Sequence, residues 1–241
     1  MFEKSKLKKW ITYYRYHQRY LNDLISVFNL NNYNYALVGD FIRWALSDPK
    51  NKTHFFKSFD IMVDIPLQDL ESLLKTYQIS FTRDSSGVFK LKNHPDDSFS
   101  IPIEICTLES YKPFEQLVKA HEVVKNLNKF RTFKNIPKSM FLSISSATYW
   151  VNKNKLYVKD LKKTLFTNVI HLTDDSCLNS PNVNRKDLTA KLLFYRDKLG
   201  FEWDENCKKL VTGYMRKHNL GKLREYLVKT YPDYYYEPRC L

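Results

Sequence analysis

Two stretches of this chain carry residue types from which a phosphate-handling site is built. In the first, the apolar run Tyr35 to Val38 meets Gly39 and then helical spacing at Phe41, Ile42, Ala45 and Leu46. Strand, tight turn and helix N-terminus in that order form a cradle in which free backbone N–H groups face a phosphate. In the second, Ser58-Phe59-Asp60-Ile61-Met62-Val63, a carboxylate stands among apolar residues on a predicted strand. Glu104 sits likewise in the strand-like run Ile101 to Cys106. Asp64 shares the face of Asp60, but four residues at ~3.3 Å each put it too far away to share an ion. Asp40, directly after Gly39, places negative charge where a phosphate would approach, an opposing effect of about 1 to 4 kcal/mol at a separation near 4 Å. The same side chain suits a helix N-cap, the reading preferred here.

The surroundings of these residues are basic. Lysine and arginine number 39 against 26 acidic residues, a formal charge of +13, spread along 241 residues rather than held in one tail. Such a surface favours a polyanion, either RNA or a protein assembly with an acidic surface. A hydrophobic content of 43% with 15% aromatics suits a folded chain. The cysteines at 106, 177, 207 and 240 form no C-x-x-C pair, so neither a zinc site nor a redox motif is expected. Histidines 17, 54, 94, 121, 171 and 218 are scattered and read as surface or packed residues. The basic N-terminus has no apolar core of a signal peptide, and no run of eighteen apolar residues follows. The expectation is a cytoplasmic protein with no membrane association.

Elements that would position the site follow from periodicity. Leu7, Trp10, Ile11, Tyr14, Leu21, Leu24, Ile25 and Phe28 predict one long amphipathic helix, with Lys8, Lys9, Arg15 and Arg19 opposite. Strands are predicted at 35–38, 59–65, 78–82, 87–91 and 100–107, and helices from Leu67 and near 113–127. A hairpin is predicted over 148–159, a helix over 184–201, and helical spacing to about Val228. Tyr234, Tyr235 and Tyr236 close the chain in a tail suited either to stacking with nucleic acid or to docking on a partner.

Taken together, Gly39-Asp40-Phe41-Ile42-Arg43-Trp44, the acid-bearing strand at Asp60, the hairpin ending in Asp160-Leu161 and the helix NRKDLTAKLLFYRDKLGF resemble the head and neck of the class II tRNA nucleotidyltransferases and bacterial poly(A) polymerases. That family shows G-G-x-V-R-D after a strand, D-x-D on the next, then R-R-D-F-T-I-N-A-L and E-D-x-x-R-x-x-R. The resemblance implies an α+β fold of the DNA polymerase β-like superfamily: a small mixed sheet backed by helices over 1–136, then a mostly helical neck-like region over 137–241. Three of the five glycines, Gly39, Gly87 and Gly200, fall at turns where the family also uses glycine.

The polar motif positions depart from the family. Nucleotidyl transfer gathers three carboxylates around two magnesium ions. Here the D-x-D place reads Ser58-Phe59-Asp60, so Asp60 and Glu104 are the two acids left for catalysis and metal. Gly39 and Arg43 match phosphate-holding positions, Lys138 is the cation near Ser139-Met140-Phe141 in place of R-R-D, and Lys191 falls on the last arginine of the neck motif. Apolar and backbone-shaping positions persist while polar ones have changed. The expectation is a catalytically degenerate binding or assembly module for RNA or a larger complex such as a ribosome or virion substructure. The alternative is an active, template-independent transferase using magnesium and a nucleoside triphosphate at RNA 3′ ends.

Overall fold

The computed structural model describes residues 2–47, 56–92, 94, 97, 101–111, 113–114, 130–173 and 184–231. The first segment contains α1 (Phe2–His17), α2 (Arg19–Leu30), β1 (Tyr35–Val38) and α3 (Asp40–Leu46). Then come β2 (Phe59–Val63), α4 (Leu67–Thr76), β3 (Phe81–Arg83), β4 (Phe89–Leu91) and β5 (Ile103–Thr107). A short α5 (Ile136–Ser139) precedes β6 (Ala147–Trp150), β7 (Lys155–Val158), α6 (Leu161–Thr167) and β8 (Val169–Ile170). The last stretch holds α7 (Arg185–Leu199), β9 (Glu202–Trp203), α8 (Glu205–Lys217) and α9 (Leu220–Thr230). The fold is α+β, as the sequence predicts. All but residues 113–114 of the helix expected near 113–127, and the tyrosine tail, lie outside the described residues.

The long N-terminal helix is a correction, because the chain breaks at Gln18. That residue takes an extended backbone (φ −126°, ψ 108°). Its side chain is buried, and Nε2 donates to the carbonyl of Ile101 at 2.8 Å. A local helical preference has yielded to a hydrogen bond with a residue 83 positions away. The break lets α1 lay Leu7, Ile11 and Tyr14, and α2 lay Leu21, Leu24 and Phe28, into one core.

Seven strands form one mixed sheet in the order β3-β4-β5-β2-β1-β6-β7. β2 and β5 run parallel and the other neighbours antiparallel. Strands from both sides of position 136 take part, since β6 and β7 follow it. Alternation along the pleat sends Leu37, Ile61 and Tyr149 into the larger core and Ala36, Val38 and Met62 into a smaller one with Phe114, Phe133 and Ile136. Pairing carries one row across all seven strands on the face of the smaller core: Thr82, Lys90, Glu104, Asp60, Val38, Thr148 and Tyr157. Asp60 is thus central in the sheet, one strand from Glu104.

α7 begins at Asn184, whose Oδ1 accepts from the Asp187 N–H at 3.1 Å, and ends at Gly200 in the left-handed region (φ +71°). These caps fix which residues of the helix face the sheet-bearing half.

Candidate functional site

The turn after β1 and the carboxylate on β2 meet directly. Gly39 has φ +70°, a conformation suited to glycine, and a Cβ there would lie 2.6 Å from Asp60 Oδ2. The inside of the turn therefore faces a carboxylate. Asp60 Oδ1 accepts a hydrogen bond from Ser58 Oγ at 2.6 Å, and both residues are on the same face of the strand. Burial raises the Asp60 carboxyl from its ordinary 3.8 to about 7; Ser58 and Lys191 draw it down, while Glu104 and Asp40 push it up. Asp60 thus holds its proton close to neutral pH.

Glu104 is half-buried beside Asp60 in register, and its Oε1 lies 3.6 Å from Lys90 Nζ on the strand beyond. Asp40 is not the helix cap predicted from sequence. Gly39 is the cap residue, Asp40 is the first helical residue, and no side chain caps the turn. Its Oδ1 instead accepts from the Tyr195 hydroxyl of α7 at 2.8 Å and stands 3.6 Å from Arg43 Nε. A phenol and a guanidinium satisfy the carboxylate better than the short, distorted turn would.

Arg43 is 2% exposed, with Cζ 5.8 Å from the centre of the Tyr195 ring. Its Nε and Nη2 are buried without a hydrogen-bond partner. Lys191, one turn before Tyr195, ion-pairs with Asp187 at 3.0 Å. Burial lowers its ammonium, but Asp187, Asp40 and Asp60 outweigh that and raise it. Lys138 is exposed on α5 and makes no ion pair with the described residues. The structure therefore brings Gly39, Arg43, Asp60, Glu104 and Lys191 to one region and leaves Lys138 on the surface.

Sequence reasoning missed three contributors. Ser58 counted as a lost acid, although its hydroxyl two residues before Asp60 was already a candidate donor. Tyr195 lies four residues after Lys191 on one helical face, which was a usable signal. Tyr231 had none: it is buried at the end of α9, stacked on Phe194 (4.3 Å, 13°), with Lys57 Nζ 5.2 Å from its ring.

Solved structures define the class. The chain has the fold of the tRNA nucleotidyltransferases. A CCA-adding enzyme in complex with ATP superposes with a TM-score of 0.56 at 13% identity, over 96% of this chain and 55% of that one. A tRNA nucleotidyltransferase complexed with a primer tRNA and an incoming ATP analogue gives 0.54 at 16%, over 85% and 54%. A CCA-adding enzyme with CTP gives 0.54 at 16%, over 87% and 45%. The chain spans about half the length of the solved structures it matches. Neither a protein-family model nor a curated protein sequence matches it.

Magnesium of the kind that serves nucleotidyl transfer takes several oxygens with free lone pairs, carboxylates foremost. The residues here fit it poorly. Asp60 gives one oxygen to Ser58, the place of a second acid holds that serine, and Glu104 faces Lys90. Among the described residues no group of three or more His, Cys, Asp or Glu is placed to hold a metal ion. No helix among them is long and apolar enough to cross a membrane.

Proposed function

We propose that this protein keeps the nucleotidyltransferase fold without its reaction and serves as a binding or assembly module for RNA or for a larger complex. The observation that carries this reading is the state of Asp60. Its carboxylate is partly buried, accepts a hydrogen bond from Ser58 and lies against the inside of the Gly39 turn. With one oxygen engaged by Ser58 and no second acid beside it on its own strand, it offers a divalent cation few free lone pairs. Asp40 and Arg43, at the phosphate-holding turn, are engaged with each other and with Tyr195. The net charge of +13, the excess of 39 lysines and arginines over 26 acids, supplies the affinity for a polyanion. In this reading no magnesium or nucleotide is required.

The rival reading, addition of nucleotides to RNA 3′ ends, draws on the adjacency of Asp60 and Glu104 across β2 and β5. One assay separates the two: magnesium-dependent incorporation of labelled ATP or CTP into tRNA or oligo(A), with Asp60→Ala alongside. Incorporation lost in the variant overturns the proposal. No incorporation together with salt-sensitive RNA retention supports the RNA version, and co-purification of a protein assembly without RNA retention supports the other.

A further inference from the structure

Away from the site, a groove opens among α7, α8 and α9, walled by Leu193, Met215, Leu220, Leu223, Arg224 and Leu227. All of these but the arginine are apolar. α9 supplies the longest wall, since Leu220, Leu223, Arg224 and Leu227 stand at i, i+3, i+4 and i+7 and so share a face. Leu223 and Leu227 are buried, whereas Leu220 is 52% exposed. Val228, one turn after Arg224 on the border of that face, is 45% exposed. Leu220 and Val228 are eight residues apart, so at ~1.5 Å per residue the apolar stripe runs about 12 Å, the length of two helical turns.

The helices beside this stripe carry charge of one sign. From 206 to 224 stand Lys208, Lys209, Arg216, Lys217, Lys222 and Arg224, all exposed, and no acid. Lys208 is paired with Glu205 at 2.8 Å. Arg216, Lys217, Lys222 and Arg224 make no ion pair with the described residues. Arg224 belongs to the wall itself, so whatever enters meets a cation next to the leucines. The groove encloses about 230 Å³, less than the ~300 to 1,000 Å³ of small-molecule sites; it has room for anchoring side chains rather than for a metabolite. Among the described residues its walls hold no aromatic ring on which a base could stack, which disfavours nucleic acid.

From this geometry we infer that the groove among α7, α8 and α9 docks an acidic amphipathic helix of a partner protein. Apolar residues of that helix at i, i+4 and i+7 lie along the stripe from Leu220 to Val228, and a carboxylate meets Arg224. An amphipathic helix laid in an apolar trough anchors through residues at this spacing, so two turns of stripe suffice for its contacts. Met215, unbranched and adaptable, fits its shape to the entering side chains. The cations around the α8–α9 turn add a positive potential that draws an acidic partner in and turns a basic one away. The inference rests on the assembly version of the proposed function and gives that version a surface and a partner chemistry.

The test is fluorescence anisotropy of a labelled synthetic helix of about 18 residues, with leucine at i, i+4, i+7 and i+11 and glutamate and alanine elsewhere. A second peptide carries lysine in place of every glutamate. The intact chain is compared with Leu220→Ser, with Arg224→Glu, and with Lys8→Gln/Lys9→Gln on α1, away from the groove. These side chains are exposed, so the variants should keep the parent melting temperature. Leu220→Ser and Arg224→Glu are each expected to weaken the acidic peptide by about 10-fold or more. The loss in Arg224→Glu should shrink as salt is raised, that in Leu220→Ser should persist, and the α1 pair should change nothing. If the lysine peptide binds as tightly as the acidic one, the charge assignment is overturned. If the acidic peptide is not bound, or is bound equally by the groove variants, the groove is overturned; the assembly version then stands or falls on co-purification of a protein assembly. A concentration-dependent dimer, read by analytical ultracentrifugation and lost in Leu220→Ser, gives the groove to a second copy and overturns the partner. Weakened oligo(A) binding in the same variants gives it to RNA and overturns it likewise.

Discussion

Replacing Asp60 with asparagine tests the desolvated carboxyl at the centre of the site. Burial raises it first, then Glu104 and Asp40, against Ser58 and Lys191, to about 7 from an ordinary 3.8. Because the folded value lies above the unfolded one, this group's contribution to stability is complete below about pH 4. It is lost as the pH rises through 7. The rise from 3.8 to about 7, at ~1.36 kcal/mol per pH unit, makes the loss about 4 kcal/mol between pH 4 and pH 8. Asparagine keeps the shape and the oxygen that accepts from Ser58 but cannot ionise, so it removes this pH dependence. Its new amide protons add only a constant offset. The parent-to-variant difference in melting temperature should therefore change in the variant's favour between pH 4 and pH 8. At ~2 to 4 °C per kcal/mol for a chain of this size, that is roughly 8 to 16 °C. Thermal melts at four pH values measure it. A difference that stays constant with pH would refute the desolvated, proton-holding state of Asp60.

Three further perturbations probe the contacts that set this state. Gly39→Ala brings a left-handed alanine and a Cβ 2.6 Å from Asp60 Oδ2; it should cost about 2 to 4 kcal/mol, and urea melts of Gly39→Ala/Asp60→Ala should return at least about 1 kcal/mol as coupling. Tyr195→Phe removes the donor to Asp40 at 2.8 Å; chemical denaturation should register a loss of about 1 to 3 kcal/mol, because a hydrogen bond to a charged group is broken inside the fold. Gln18→Ala deletes the buried bond to the Ile101 carbonyl; the same measurement should give a loss of about 1 to 3 kcal/mol, and a neutral result would mean that the helix break does not depend on that bond.

What could be read from the sequence divides along the range of the interactions. Strands β1, β2 and β5 and helix α4 follow from periodicity, and Gly39 and Gly200 mark their turns by scarcity alone, both with positive φ. The family resemblance draws Asp60 and Glu104 to each other, and β2 and β5 pair with the two residues in register. The rest was invisible for one reason: the deciding partner is far along the chain. Gln18 is a good helix former with no local reason to break, and its partner is Ile101. Asp40 looks like a cap until Tyr195, 155 residues later, takes its carboxylate. Ser58 is the exception, a local donor to Asp60 whose position reads first as that of a missing acid.

These distant partners have a common consequence. Tyr195 on Asp40, Asp40 on Arg43, Asp187 on Lys191 and Ser58 on Asp60 are all polar contacts made within the chain at the place where a ligand's charge would have to make them. A triphosphate entering the Gly39 turn would have to break the Asp40–Tyr195 bond, recover Arg43 from Asp40 and tolerate the Asp40 carboxylate at close range. Breaking the contacts of Asp40 with Tyr195 and Arg43 leaves largely buried groups unsatisfied, at about 1 to 3 kcal/mol each. Against several such losses, the Arg43 Nη2 atom, buried without a hydrogen-bond partner, offers only modest compensation. Helix α7 is tied down again by Tyr226 on Asp187 (3.0 Å) and by Tyr231 stacked on Phe194. The polar groups of this fold therefore stabilise the arrangement of sheet, α3 and α7 against the entry of a charged ligand.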